Sequence, residues 1–191
     1  ITDPANDVSP AYVDVTSLNS TLSGQTLQAI LHLRDLPTQL TFHSAPEPEY
    51  RWLVLVDVDN NPNSGSTDSR YKGAEYALLV WSDPGVSGTM SIQDTVNHWV
   101  MYPDAGGGWQ SEGEAVLAVD SVADTMLIRG DVPGITQQSR IFFEAFDYAG
   151  GARRSDLSDT CGTGVVPPTA TPTPPSSNDD FNAATLPALT D

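Results

Sequence analysis

The 191-residue sequence is poor in cysteine and in long apolar runs. Its single cysteine, Cys161, excludes an intrachain disulfide and is either a free thiol or an interchain link. Hydrophobic residues make up 39% of the chain, enough for one core. The longest apolar run, Trp52–Val56, is far shorter than the roughly 18 residues that a membrane span needs. We therefore expect no membrane insertion.

Positive charge is also scarce. Lys and Arg total 8 against 25 Asp and Glu, which gives a formal net charge of −17. This balance repels nucleic acid and anionic membrane surfaces, so we expect no nucleic-acid partner. It solubilises a protein surface, and it also suits a protein that gathers divalent cations, because each Ca²⁺ offsets carboxylate repulsion.

Known catalytic motifs are missing as well. The sequence has no GxSxG, HExxH, CxxC or P-loop pattern. Paired carboxylates are so abundant that any two could be posed as an acid and a base, and the three histidines have no obvious nucleophile beside them. We predict that the chain is not an enzyme.

Strand-length segments separated by polar turns fill residues 1–164. Residues 27–33 alternate as a strand with one buried face, and Arg51–Asp57 is apolar on both faces, as in a central strand. Further strands are predicted at Tyr12–Leu18, Ala74–Trp81, His98–Tyr102, Ala115–Val119, Thr125–Gly130 and Arg140–Asp147. This pattern predicts an all-β, antiparallel sandwich of the jelly-roll or immunoglobulin-like kind.

The composition changes after residue 164. Residues 165–177 (VVPPTATPTPPSS) form an extended Pro/Thr-rich linker, typical of secreted proteins with several modules. Residues 178–191 are too short to fold alone and are either the start of a further module or a tail. In the tail, Ala183–Leu189 is a candidate strand for self-association by strand addition. A chain that begins at Ile1 fits a processed secreted protein as well as a trimmed one, and we predict an extracellular or cell-surface location.

The sharpest local signal is the segment from Asp57 to Glu75 (DVDNNPNSGSTDSRYKGAE). Its oxygen donors follow a predicted buried strand with the spacing of a calcium-binding loop, although Pro62 and the flanking strands exclude an EF-hand. The alternative is a solvated turn rich in Asp and Asn. The candidate calcium ligands here are Asp57, Asp59, Asn61, Asn63, Asp68 and Glu75.

Two further acidic clusters lie near the ends of the predicted domain, and they could share a metal site because the ends of a sandwich chain often meet. Ordinary acidic surface loops are the alternative. The candidate metal ligands of the first cluster, which precedes Asp14, are Asp3, Asn6 and Asp7. Those of the second, which begins at the end of the last predicted strand, are Asp147, Asp156 and Asp159.

Three motifs occur in order: an opening DPxxD segment, a strand followed by DxDxN, SG and GxEY, and a last strand followed by DxxGxxxxSD. Over about residues 1–160 this order resembles the DOMON-like β-sandwich superfamily, which includes family 9 carbohydrate-binding modules of secreted multidomain bacterial proteins. Asp57, Asp59 and Glu75 match its acidic block. The resemblance implies a β-sandwich with structural calcium and, in some members, a sugar-binding face.

Aromatic residues on or beside the predicted strands could stack on sugar rings, although tryptophan in a sandwich more often packs in the core. Trp99, Tyr102 and Trp109 are the candidate ligand-binding residues, with Trp81 nearby in the same set of strands. We expect a non-catalytic, calcium-binding extracellular module for adhesion or carbohydrate binding within a larger protein. The alternative is a structural subunit of an extracellular filament, assembled through the tail.

Overall fold

The computed structural model describes residues 1–7, 10–46, 48–93, 96–103 and 108–148, with the backbone of residues 154–157 and 162–163. No helix within these residues is long and apolar enough to cross a membrane. The strands are β1 (Val15–Ser23), β2 (Thr26–Leu33), β3 (Gln39–His43), β4 (Tyr50–Asp57), β5 (Tyr76–Ser82), β6 (Ser87–Ser91), β7 (Val96–Pro103), β8 (Trp109–Glu114), β9 (Val116–Asp120), β10 (Thr125–Asp131), β11 (Arg140–Asp147), β12 (Arg154–Leu157) and β13 (Gly162–Thr163).

Antiparallel pairing arranges these strands in two main sheets and a ribbon. The four-stranded sheet has the order β1-β2-β10-β9, and β3 pairs with β6 in the ribbon. The larger sheet has the order β12-β11-β4-β5-β7-β8, with β13 also pairing with β11. The predicted all-β sandwich is confirmed. Residues 165–177 and 178–191 lie outside the described residues, so the linker and self-association through the tail stay predictions.

The core lies between the two main sheets. β4 runs between β11 and β5, as the apolar character of both its faces predicts. Its residues Trp52, Val54 and Val56 face the core with the alternating apolar residues of β2 and β10. Burial of this one contiguous cluster is the main force that holds the two sheets together.

The opposite face of the larger sheet carries a second apolar cluster, called the outer cluster below. Leu53 and Leu55 of β4 belong to it because adjacent residues of a strand point to opposite faces. Three half-buried tryptophans pack against it. The buried members are Leu53, Leu55, Tyr71, Ala74, Ala77, Leu79, Met101, Phe142 and Phe146.

The observed strands differ from the predicted ones both in several of their limits and in their number. The first strand begins at Val15, not at Tyr12, because a turn closed by the Val13 amide and the Pro10 carbonyl precedes it (3.0 Å). β3, β6, β8, β12 and β13 were not predicted. The residues of β6 and β8 are largely exposed, so these strands lack the buried periodicity that reveals a strand. β3 does alternate, with Leu40 and Phe42 buried, but two apolar residues in a five-residue segment give too short a pattern to identify a strand.

Candidate functional site

Asp57 and Glu75 come together at the mouth of the β4–β5 hairpin. β4 ends at Asp57, which is fully buried, and the register that pairs Val56 with Tyr76 places Glu75 opposite it. The Glu75 amide donates to the Val56 carbonyl (3.0 Å), which fixes this position. Asp59 is two residues further on, and one carboxylate oxygen from each of the three acids lies within 4.8 Å of the others. We call this group the acidic triad.

Hydrogen bonds hold the triad carboxylates but leave one buried oxygen without a partner among the described residues. Asp57 and Asp59 each accept from the Asn61 amide, at 3.1 and 2.9 Å. Glu75 accepts from the Val58 amide through Oε2 (2.8 Å). Its Oε1 is buried and has no hydrogen-bond partner among the described residues. Such an atom costs free energy unless a ligand or water satisfies it.

Burial of the triad disfavours the charged state of the Asp57 and Glu75 carboxyls. Burial raises the pKa of the Asp57 carboxyl, although the Asn61 amide and the Arg140 guanidinium oppose the shift. Burial also raises the pKa of Glu75; the Ser64 hydroxyl and the Val58 amide oppose this shift, and the neighbouring Asp59 and Asp57 add to it. A cation among the three carboxylates would offset both effects. All the donors are oxygens, the ligands that hard cations prefer, so the three acids could hold such a cation.

A glycine shapes the loop around Asp57. Gly73 has φ +92°, and a Cβ at this position would lie 3.1 Å from Asp57 Oδ2 and 3.0 Å from the Pro62 Cα. A side chain would therefore crowd the carboxylate as well as strain the backbone. This role of Gly73 was not predicted, although the GxEY motif places the glycine two residues before Glu75.

The remaining residues predicted as ligands in this loop have other partners. Asn61 Oδ1 accepts from the amide of the exposed Asn63 (3.1 Å), the geometry of an Asx turn. Asp68 pairs with Arg70 through two hydrogen bonds, of which the shorter is 2.6 Å, and this contact lowers its pKa. The structure therefore brings together Asp57, Asp59 and Glu75 and pairs Asp68 elsewhere.

Tyr71 fastens the same loop to the outer cluster. Its hydroxyl donates a hydrogen bond to the carboxylate of Glu144, which is buried in β11. The Tyr71 ring packs edge-on to the Trp109 ring, with 6.2 Å between the ring centroids. The Arg70 guanidinium lies over the Tyr71 ring, 5.0 Å from its centroid. No local pattern predicts the contact with Glu144, because 73 residues separate the partners.

The acidic cluster at the start of the chain is held by Arg34. The buried Asp14 accepts from the Asn6 amide (2.8 Å) and pairs with Arg34 Nε (2.7 Å), and Arg34 also donates to Asn6 Oδ1 (2.9 Å). The Asp3 amide donates to the Thr16 carbonyl (3.0 Å), while Asp7 is exposed.

The acidic cluster at the end of the domain is described only in part. Asp147 is buried and accepts from the Tyr12 hydroxyl (2.7 Å), so the opening segment does reach the last long strand. Asp156 lies on β12, of which only the backbone is described, and Asp159 lies outside the described residues. Among the described residues, the group of three or more potential ligands that converges is the acidic triad.

The predicted aromatic platform is divided between two faces. Trp99 and Trp109 are half-buried and pack against the outer cluster. Tyr102 is 37% exposed and lies two residues after the core-facing Val100 on the same strand. It therefore lies on the face opposite to the two tryptophans, near Tyr76. Trp109 pairs with Pro103, four residues from Trp99, so the backbone positions of the two tryptophans are offset by about 13 Å along the strand direction.

Comparison with family models and with curated proteins finds no match for this chain. The resemblance to DOMON-like sandwiches and family 9 carbohydrate-binding modules therefore stays a prediction.

Proposed function

We propose that this chain is a non-catalytic, calcium-binding β-sandwich module of a larger extracellular or cell-surface protein, serving adhesion or carbohydrate binding. The acidic triad holds the calcium ion. The observation that carries the proposal is the buried, unpartnered Oε1 of Glu75 beside two further carboxylates.

Coordination by the triad would complete what the protein leaves unsatisfied. Glu75 supplies Oε1, Asp57 supplies a carboxylate fixed at the end of a rigid strand, and the exposed Asp59 lies on the solvent side. Calcium takes six to eight oxygens, so backbone carbonyls and water would supply the rest. The ion would be structural, joining the loop to the sheet that it leaves.

Thermal unfolding with and without calcium tests this proposal. If calcium binds only the folded state, ~1 mM calcium over a ~10 μM site adds about 2.7 kcal/mol to the free energy of unfolding. Asp57→Asn should remove most of this increment. Asp68→Asn is the matched control in the same loop, and it should retain the increment because Asp68 pairs with Arg70.

Magnesium at the same concentration separates specific binding from charge screening. An unfolding midpoint that calcium leaves unchanged, together with no calcium in the dialysed folded protein, would contradict the proposal. If Asp57→Asn and Asp68→Asn lose the calcium-dependent stabilisation equally, the calcium site does not lie at the acidic triad.

A further inference from the structure

The loop that carries the acidic triad also brings a hydroxyl group among the carboxylates. Ser64 Oγ lies 3.0 Å from Asp59 Oδ1 and 2.7 Å from the carbonyl oxygen of Asn61. The same hydroxyl lies beside Glu75, because it opposes the rise that burial gives to the pKa of that carboxyl. Ser64 is half-buried, and it was not predicted as a ligand. Its oxygen is therefore held close to two of the three acids.

A close approach of two backbone segments places Ser64 there. Gly65 follows it, and a Cβ at Gly65 would lie 2.4 Å from the carbonyl oxygen of Ala74. The Ser66 amide donates a hydrogen bond to that same carbonyl (2.8 Å), which holds the two arms of the loop side by side. Ser64 precedes this contact and Glu75 follows it, so the loop backbone itself brings their side chains together.

The Ser64 hydroxyl has one proton but faces more than one acceptor. An ionised carboxylate and a carbonyl can only accept hydrogen bonds. The proton can therefore serve either the Asn61 carbonyl or Asp59 Oδ1, and the other contact sets lone pairs of two oxygens against each other. Glu75 Oε1 receives no hydrogen bond from any described residue. A cation among these oxygens would make each of these contacts attractive.

We infer that Ser64 Oγ is a ligand of the cation held by the acidic triad and that it favours calcium over magnesium. This inference rests on the proposed calcium site and adds a residue and an ion preference to it. Calcium takes six to eight oxygen ligands, whereas magnesium keeps several of its waters and binds through one or two carboxylates. A neutral protein oxygen beside the carboxylates therefore adds to the affinity for calcium and little to the affinity for magnesium.

Calorimetric titration of calcium into the full chain, dialysed free of metal, tests the inference, and competition with calcium gives the magnesium affinity. We expect Ser64→Ala to lower the calcium affinity roughly tenfold and to leave the magnesium affinity within about twofold of the wild type. Ser66→Ala is the matched control. It removes another hydroxyl of the same loop, whose oxygen accepts from the Asp68 amide (3.3 Å), and it should keep both affinities.

The unfolding midpoint of each calcium-free variant shows that the variant is folded. If Ser64→Ala changes neither affinity, or lowers both by the same factor, the hydroxyl only closes the turn with Asn61 and the inference is overturned. The inference also fails if Ser66→Ala reduces the preference for calcium as much as Ser64→Ala does. In these cases a wild type that binds calcium leaves the proposed function standing, whereas a wild type that binds no calcium overturns both.

Discussion

Two buried aspartates show two ways of keeping a carboxylate inside a β-sandwich. Asp14 and Asp57 are both inaccessible to solvent, and each has an arginine nearby. Arg34 Nε lies 2.7 Å from Asp14, whereas the Arg140 contact with Asp57 is longer, at 3.3 Å. Asp57 also shares its surroundings with Asp59 and Glu75. Asp14 has Arg34 for itself, whereas Asp57 pairs with Arg140 beside two further acids, where the proposed calcium ion would add positive charge.

Replacing each arginine in turn should give the largest loss in the free energy of unfolding and the clearest difference between the two aspartates. Arg34→Met leaves Asp14 buried without its cation, and we expect a loss of about 3 kcal/mol in the free energy of unfolding. Calcium should not restore it. Arg140→Met should cost about 2 kcal/mol without calcium, and millimolar calcium should recover most of that loss because the ion can take the place of the guanidinium beside Asp57.

Urea unfolding of both variants, with and without calcium, measures these differences. If calcium rescues both variants equally, it acts on the whole acidic surface and the distinction between the two aspartates fails. If it rescues neither, the ion does not contact Asp57.

Gly73→Ala should give the next largest effect. The substitution forces a side chain into a positive-φ position and against the Asp57 carboxylate, so we expect a loss of about 2 kcal/mol and a weaker calcium increment. Gly24→Ala is the matched control. Gly24 has φ +62° but no atom within 4 Å of the added Cβ, so it should lose about 1 kcal/mol from backbone strain alone and keep the calcium increment.

Calorimetric titration of calcium into both glycine variants makes the distinction. Equal calcium affinity in the two would show that the contact of Gly73 with Asp57 has no part in binding.

The pH dependence should be the smallest effect. Burial raises the pKa values of Asp57 and Glu75 above their ordinary values of 3.8 and 4.5, so the calcium-free folded state holds protons that the unfolded chain has released. Their contribution to stability is therefore full below the ordinary values and is lost as pH rises through the raised ones. With calcium the sign reverses, because the ion binds the deprotonated acids and its increment grows with pH.

The unfolding midpoints of the wild type and of a variant with Asp57→Asn and Glu75→Gln, measured between pH 4 and 8 in protein dialysed free of calcium, isolate this term. The unfolding midpoint of the wild type minus that of the double variant should decline as pH rises. A difference that is independent of pH would contradict the assigned cause.

The elements that the sequence predicted are those whose side chains alternate or are continuously apolar. Arg140–Asp147 matches β11 at both ends, and Thr26–Leu33 differs by one residue from the prediction. β6, made of Ser, Gly, Thr and Met, is largely exposed and leaves no such pattern. At the site, the spacing of the DxDxN and GxEY motifs identified the residues that converge. It could not identify Arg140 or Glu144 as neighbours of the loop, because those contacts depend on the pairing of β11 with β4.

The same long-range contacts set an order of events in folding. Asp57 meets Arg140 across 83 residues, and Tyr71 meets Glu144 across 73, so the loop finds its final partners only after the last long strand has joined the sheet. Contacts of such sequence separation form late, because closing the intervening chain costs entropy first. A calcium ion held there would act after the rate-limiting step. We therefore expect calcium to slow unfolding and to leave the folding rate nearly unchanged, which would make the folded protein long-lived.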